Sequence, residues 1–213
     1  MPDTQQDVLT TACYPPFEVS VYTGEGVLDN PLWKNATERL VKRLPDWLVA
    51  FCNMLKQAEV DVPDAEAVMI DVTLVTNDKI QEANLEFRQK DSATDVLSFP
   101  TLPAEALPPI NLPETHLGDI LICIEWAHEE IKTPSIREQY ACRLQNTDSE
   151  NRDTENGNTD DSAVLDILDQ YVVERLTHGC LHILGHHHDT MKDYNRVVAL
   201  QTQVLDELFK NPS

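Results

Sequence analysis

Basic residues are scarce in this chain of 213 residues, which has 16 lysines and arginines against 37 aspartates and glutamates. The formal net charge of −21 excludes the long-range attraction that draws strongly basic proteins to polyanions. Any nucleic-acid substrate would therefore have to be bound through cations placed locally. No apolar run approaches the roughly 18 residues that a membrane-spanning helix requires, so the sequence predicts no membrane partner.

Cysteine is also sparse, with five residues and no CxxC pair. An odd and scattered set argues against a disulfide framework and against a thiolate zinc site, and it is typical of a reducing compartment. The opening residues, MPDTQQDVLTTACYPP, contain no basic cluster and no apolar stretch, so no export signal is predicted. We therefore expect a cytoplasmic protein.

Apolar spacing predicts both strands and helices. Strands are predicted at FEVSVY (17–22), AVMIDVTLVTND (67–78), TDVLSFP (94–100) and LGDILICIE (117–125). A long helix is predicted before the second strand, with Pro45 starting its second part, and Asp78 is expected to cap a helix after that strand. Two helices, roughly 163–184 and 190–210, close the chain. Because no regular βαβ repeat is present, the fold class is α+β.

The chain divides into a short extension and one domain. Residues 1–30 are turn-rich and are predicted to be a partly irregular N-terminal extension, and residues 31–213 to form a single catalytic domain. Within that domain, residues 145–163, QNTDSENRDTENGNTDDSA, hold six acids against Arg152. Such a composition predicts a disordered acidic insertion, which we expect to be dispensable for the chemistry.

Five of the seven histidines lie in HGCLHILGHHH, residues 178–188. His178 and His182 are four residues apart on a predicted helix, which puts them on one face and one turn apart. At 100° per residue this face looks away from the apolar stripe of the same helix. Two imidazoles in this arrangement can share one metal ion.

A glycine follows this pair and allows the chain to reverse. Gly185 stands at a natural helix end, and His186, His187 and His188 compete to become the third ligand. The pattern H-x-x-x-H-x-x-G-x-x-H, which is the spacing of the metzincin zinc site, selects His188. Three histidines that leave a fourth position open describe a catalytic rather than a structural zinc.

Gly179 bears on the reaction. Zinc proteases have a glutamate after the first histidine, the general base, and here that position has no side chain. The ligand spacing is kept without the peptidase base, which argues against proteolysis. Three neutral imidazoles also leave a zinc ion its full double charge, which suits a phosphodiester anion better than a neutral amide.

Three blocks of the sequence together resemble a known family. HGCLHILGHHH is similar to the H-G-x-L-H-L-x-G-Y-D-H signature of the YbeY family of metal-dependent, single-strand-specific endoribonucleases, and LEFRQKDSATDVLSFP (85–100) and LGDILICIE (117–125) are similar to two further blocks of it. The likeness runs from about residue 70 to residue 208, interrupted by the acidic insertion. It implies a small mixed β-sheet packed with about five helices and a zincin-like metal-binding cleft.

The resemblance also implies a function. It implies one bound Zn²⁺, cleavage of single-stranded RNA, a part in maturing the 3′ end of the small-subunit ribosomal RNA and in ribosome quality control, and ribosomal subunits or ribosomal proteins as partners. By motif position, the metal ligands are His178, His182 and His188, and Arg88 is the arginine beside the metal. Arg88 and His178 are thus the residues expected in catalysis. A guanidinium offers a bidentate fork to phosphate at any relevant pH.

The chain departs from the family pattern at one place, and two other functions stay open. The family's Tyr-Asp before the last histidine is His186-His187 here, so either histidine could replace His188 as third ligand, and Asp189 could substitute for the lost carboxylate. The alternatives are a metallopeptidase that recruits its base elsewhere and a non-catalytic ribosome-assembly factor containing zinc. The acidity of the chain favours the assembly factor over the peptidase, because basic ribosomal proteins could bring such a factor to RNA.

Overall fold

A computed structural model describes residues 8–63, 65–102, 112–144 and 161–210. This part of the chain contains five strands and six α-helices, which confirms the α+β class. The strands are β1 (Val8–Tyr14), β2 (Phe17–Thr23), β3 (Ala65–Val75), β4 (Val96–Pro100) and β5 (Leu112–Cys123). The helices are α1 (Pro31–Gln57), α2 (Asn77–Arg88), α3 (Ile124–Glu130), α4 (Pro134–Leu144), α5 (Asp161–Ile183) and α6 (Met191–Phe209).

The five strands form one mixed sheet in the order β1-β2-β3-β5-β4. The central pairs, β2 with β3 and β3 with β5, are parallel, and the outer pairs, β1 with β2 and β4 with β5, are antiparallel. The small mixed sheet that the family resemblance implied is therefore present. Strand β4 lies at one edge, next to the helix that carries the histidines.

The core lies on one face of this sheet. Alternate side chains of the three central strands point to that face and are buried: Val19, Val21, Ile70, Val72, Ile120 and Ile122. Helices α1, α5 and α6 pack against one another over the same side, and α2 contacts β4 and β5. Side chains alternate between the faces of a strand, so the residues between these positions point to the opposite face. None of the helices in the described ranges combines the length and apolar character needed to cross a bilayer.

Strand β1 is not predicted by the sequence, which indicates one strand in the first 30 residues where the structure has two. Only Ala12 of β1 is buried, so its sequence, VLTTACY, shows no clear alternation of apolar and polar residues. The strand exists because it pairs with β2, where Thr11 lies opposite Ser20 with their hydroxyls 2.9 Å apart. Pairing of this kind between segments is invisible to a local pattern.

Helix α1 runs unbroken through Pro45, and the predicted restart at that proline is wrong. Asn30 caps the helix by accepting hydrogen bonds from the amides of Leu32 and Trp33. A proline inside a helix costs a backbone hydrogen bond. Buried residues continue on both sides of Pro45, from Leu40 to Leu55, so packing against the sheet outweighs the local cost.

Several predicted boundaries also shift. The cap of α2 is Thr76 rather than Asp78, and the amide of Asn77 donates to the carboxylate of Glu125 at 2.9 Å. Strand β4 begins two residues later than predicted, and β5 begins five residues earlier. Residues 161–163, assigned from the sequence to the acidic insertion, belong to α5, whereas residues 145–160 lie outside the described residues.

Candidate metal centre

Helix α5 carries the first two histidines and is the central helix of the domain. The stripe expected to be buried is buried, and further apolar residues are buried around it: Leu168, Val172, Leu176, Cys180 and Leu184, with Ile167, Val173 and Leu181. Trp47 of α1 fixes the turn before the site, since its indole N–H donates to the hydroxyl of the fully buried Thr177 at 3.0 Å. His178 and His182 are half-buried on the remaining face.

The chain reverses after α5 through the predicted glycine. Gly185 has φ +82°, a left-handed conformation that glycine adopts without steric cost. The amide of Gly185 donates to the carbonyl of His182 at 3.0 Å, and the amide of His186 donates to that of Leu181 at 2.9 Å. These two bonds are those of a Schellman helix end. They return the following residues toward the face that carries His178.

His188 is the histidine that this turn brings to the pair. One ligand atom each from His178, His182 and His188 lies within 4.8 Å of the other two. The ring centroids of His178 and His182 are 4.3 Å apart, and those of His182 and His188 are 4.9 Å apart. Two ligands on one helix and a third beyond a turn can surround one side of an ion and leave the opposite side open.

The three rings fit a metal ion in their chemistry. The Nε2 atom of His182 is buried and has no hydrogen-bond partner among the described residues. Such an atom is costly unless something binds it. Burial, followed by the charges of the neighbouring imidazoles, lowers the pKa of His182 to about 3. Burial also lowers the pKa of His178. Neutral imidazoles keep a lone pair available, which is the form that binds metal.

Two side chains outside this group hold its rings, and the sequence indicates neither role. The Nδ1 atom of His187 lies 3.3 Å from Nδ1 of His182. The amide oxygen of Gln201, on α6, lies 3.4 Å from Nδ1 of His178. His187 lies within the histidine motif, and the only feature of the sequence that marks it is that it replaces the family's aspartate. Gln201 is 23 residues from its partner, and no spacing rule points to it.

His186 points elsewhere. It lines a shallow pocket with Asp189, Asp193 and Arg196, and it does not belong to the group of three ligand atoms. Burial and the charge of Arg196 lower its pKa. Three histidines compete for the third position, and the structure brings His188 to the pair. His187 instead contacts Nδ1 of His182, and His186 lines the neighbouring pocket.

Arg88 lies near this centre but belongs to a different helix. It is the last residue of α2, its side chain is exposed, and it forms no ion pair within the described ranges. Its positive charge is among the influences that lower the pKa of His182, after burial and the neighbouring imidazoles. Arg88 and His182, which are 94 positions apart in the chain, are thus brought to one site by α2 flanking β4.

A second arginine, not singled out from the sequence, lies one turn from the first histidine and joins α5 to the sheet. Arg175 lies one turn before His178 on α5 and donates to Asp95 at 2.8 Å and to Glu174 at 2.6 Å. Its guanidinium also lies 4.9 Å from the ring centroid of Tyr171. These contacts tie α5 to the start of β4. Since both carboxylates neutralise it, Arg175 is a structural cation beside the site.

The missing peptidase glutamate has a steric reason. A Cβ at Gly179 would lie 2.8 Å from Cγ2 of Ile120 and 3.2 Å from the hydroxyl of Ser98. Position 179 therefore faces β4 and β5 at close range, and only a glycine lets α5 approach the sheet this far. A glutamate here would meet the sheet. It could not reach a ligand face that is shared by His178 and His182.

A second group of metal-type side chains lies on the opposite face of the sheet. Asp71 of β3 and His116 and Asp119 of β5 have ligand atoms within 4.8 Å of one another. Asp71 and Asp119 are register partners, and Nε2 of His116 lies 3.3 Å from a carboxylate oxygen of Asp71. Asp71 and His116 are partly buried and Asp119 is exposed, and Nε2 of His116 makes no hydrogen bond among the described residues. These three residues are thus a second candidate ligand group, which the sequence analysis does not indicate.

Known proteins are similar to this chain over most of its length. A family model described as Endoribonuclease YbeY matches residues 33–144, more than half of the chain. The protein named Endoribonuclease YbeY from Rhizobium etli is 31% identical over 169 residues, covering 76% of this chain and 80% of that protein. Its namesake from Myxococcus xanthus is 31% identical over 144 residues, covering 68% of this chain and 38% of that protein.

A solved structure is similar as well. The solution structure of TM1509 from Thermotoga maritima aligns with a TM-score of 0.43 and 22% identity, covering 89% of this chain and 87% of that chain. The family model contains Arg88 and strands β3 to β5 and ends at α4, before the histidine segment. Its extent, together with the match to the Rhizobium protein, confirms the resemblance seen in the sequence motifs: the chain belongs to the YbeY family.

Proposed function

We propose that this protein is a metal-dependent endoribonuclease that cleaves single-stranded RNA. The observation that carries the proposal is the group of His178, His182 and His188, whose ligand atoms lie within 4.8 Å of one another. Relatives from several bacteria are named endoribonucleases, which supports the reaction class. The half-buried pair and the exposed third histidine leave the group open on one side, where a substrate could enter.

The metal proposed for this group is a single zinc ion. Three imidazole nitrogens are a donor set that zinc accepts in catalytic sites. When bound, zinc supplies a Lewis acid that polarises a phosphoryl oxygen and lowers the pKa of a water molecule toward neutrality. The protein keeps the rings of His178 and His182 neutral, because burial lowers the pKa of both. His178 serves the reaction as a ligand and is not available as a free base.

Arg88 is proposed to bind the scissile phosphate. Its guanidinium is exposed and pairs with no carboxylate in the part of the chain that the structure describes, so its donors are available to a substrate. A planar fork of donors matches two phosphate oxygens and stabilises the charge that builds up on them in the transition state. It also supplies the local cation that a chain with net charge −21 needs in order to hold RNA.

Proteolysis is disfavoured by the packing of Gly179. The base of a zinc peptidase would occupy this position, and here the position is closed off by Ile120 and Ser98. A peptidase built on the same histidines would need a carboxylate from another element. Among the residues that the structure describes, no such carboxylate joins the group formed by His178, His182 and His188.

The biological substrate proposed is ribosomal RNA. The family resemblance supports a role in maturing the 3′ end of the small-subunit RNA and in ribosome quality control, in the cytoplasm, with ribosomal subunits or ribosomal proteins as partners. Basic ribosomal proteins would also offset the repulsion between RNA and this acidic chain. The unit proposed to carry the activity is the predicted domain of residues 31–213 together with β1 and β2, because β2 pairs with β3 inside the same sheet.

The test is a cleavage assay with matched histidine variants. Purified protein is loaded with zinc and incubated with a labelled single-stranded RNA and with the same RNA annealed to its complement. We expect cleavage of the single strand only, and loss of it with a chelator and in His182→Ala. His186→Ala is the control, because this residue belongs to the same segment but not to the ligand group.

Full cleavage by the chelated protein would overturn the proposal. An equal loss in His182→Ala and His186→Ala would also count against it. Absence of any RNA product, together with co-sedimentation with ribosomes that Arg88→Ala leaves unchanged, would favour a non-catalytic assembly factor. Cleavage of an unfolded protein substrate would favour a peptidase.

A further inference from the structure

Gln201 of α6 lies between two groups of α5 that differ in what they can donate and accept. Its side chain is 5% exposed, its amide oxygen lies 3.4 Å from Nδ1 of His178, and its amide nitrogen lies 3.4 Å from the backbone carbonyl of Glu174. Both contacts are long for hydrogen bonds, yet together they fix the direction of the amide.

The direction follows from what each partner can do. A backbone carbonyl only accepts hydrogen bonds, so the –NH₂ end of Gln201 must face Glu174. The oxygen end then faces His178, and an amide oxygen also only accepts. Nδ1 of His178 must therefore carry the proton. In a neutral imidazole the other nitrogen, Nε2, is then left with its lone pair.

From this arrangement we infer that Gln201 is a positioning residue that holds His178 in the tautomer whose Nε2 can bind the metal. The inference rests on the proposed function, because it presupposes that His178 is a metal ligand. A ring with a free choice of tautomer would present a proton to the ion for part of the time. Gln201 removes that choice before the ion arrives.

The second ligand shows the same division of its two nitrogens, which supports this reading. Nε2 of His182 is buried without a partner among the described residues, while its Nδ1 faces Nδ1 of His187 at 3.3 Å. Either of these two imidazoles could donate, so that contact alone does not fix a direction. Gln201 differs because its own donor end is committed to Glu174.

The position of Gln201 also links the site to α6. This helix begins three residues after His188 and packs on α1 and α5. Partners of this kind behind a metal ligand typically change metal affinity by about 10- to 100-fold when they are removed. Gln201 thus contributes to the metal site from a helix that carries none of the ligands.

The experiment compares Gln201→Met with Gln203→Met. Methionine matches glutamine in length and has no amide, and Gln203, on the same helix, bonds the side chain of Gln57 away from the site. Long-range ¹H–¹⁵N spectra of the metal-free proteins report which ring nitrogen of His178 is protonated, with assignment by His178→Asn. Zinc affinity is measured by competition with a chromophoric chelator.

We expect His178 of the wild type to carry its proton on Nδ1, Gln201→Met to lose this preference, and its zinc affinity to fall about tenfold. Gln203→Met should match the wild type in both measurements. A wild-type His178 protonated on Nε2 would overturn the inference, and this result needs no variant to fold. An unchanged tautomer and affinity in Gln201→Met would overturn it too. Failure of the wild type to bind zinc would instead refute the proposed function.

Discussion

Gly179 of α5 stands so close to Ile120 of β5 that an added Cβ would lie 2.8 Å from its Cγ2 atom. Ile120 is fully buried in a central strand, so it has little room to yield. We expect Gly179→Ala to lower the free energy of unfolding by about 1 kcal/mol, because overpacking of about 1–3 kcal/mol outweighs the gain of about 1 kcal/mol in helix propensity. Urea denaturation measures this.

A double-mutant cycle isolates the contact. In an Ile120→Ala background the clash is absent, and Gly179→Ala should then be neutral or stabilising. An equal cost in both backgrounds would show that Gly179 is needed for another reason.

Zinc should stabilise the folded protein through the three histidines. A ligand that binds only the native state, present at 100 times its dissociation constant, adds about 2.7 kcal/mol, which for a domain of this size is about 5–10 °C in melting temperature. We expect this rise in the wild type and its loss in His188→Ala. Because the side chain of His188 is exposed, the variant should fold like the wild type. Differential scanning calorimetry with and without zinc measures it.

The matched variant for this measurement is His186→Ala. It should keep the zinc-dependent rise, because His186 lines the neighbouring pocket with Arg196. A rise that survives His188→Ala and vanishes in His186→Ala would reassign the third ligand.

Arg88 should affect the reaction without affecting the fold. We expect Arg88→Ala to lower kcat/KM for single-stranded RNA about 100-fold, the loss typical of one donor to a developing anion, and Arg88→Lys to recover only part of it. Melting temperatures should stay unchanged, since the side chain is exposed. Lys90→Ala removes the same charge two residues away and should have a small effect. If Lys90→Ala lowered kcat/KM as much, Arg88 would act through its positive charge alone and not through a specific contact with the phosphate.

The buried carboxylate of Asp169 depends on Arg43. One of its oxygens accepts from Nε and Nη2 of Arg43 at 3.0 and 2.8 Å, and Asp169 is 3% exposed. Because removing one partner leaves a buried charge, we expect Arg43→Met to cost about 2–4 kcal/mol at neutral pH. Arg39→Met, which breaks a more exposed pair with Asp166, should cost about 1 kcal/mol or less.

The pH dependence of this variant has a definite sign. Burial raises the pKa of Asp169, and Arg43 opposes that rise. Without Arg43 the folded pKa rises further above the unfolded one, so the folded state binds the proton more tightly. The stability deficit of Arg43→Met should therefore shrink as pH falls through that pKa. A deficit that grows on acidification would contradict it.

The acidic insertion should be dispensable. We expect replacement of residues 147–158 by a short Gly-Ser linker to leave zinc binding and RNA cleavage within about twofold of the wild type, because the entropy of closing a loop changes only slowly with its length. The measurement is the same cleavage assay. A large loss of cleavage with zinc binding intact would assign the insertion a part in holding RNA or a partner.

Local patterns were enough to find the first two histidines of the candidate metal centre and the turn. His178 and His182 share a face because the helix period requires it, and Gly185 ends the helix because few other residues adopt its φ. The alternation of β2 and β3 was equally visible, since one face of each strand is buried. Pairing and packing override such patterns elsewhere, as β1 and the continuous helix through Pro45 demonstrate.

The tertiary structure decided which residues meet. The sequence determined that histidines at these spacings could gather one ion, because that geometry is set within a single helix and its turn. Only the fold brings Arg88 and Gln201 close to these histidines. Only the fold, too, packs the sheet against Gly179. These contacts join segments that are distant along the chain, and they depend on how helices and strands pack, a property that no local spacing encodes.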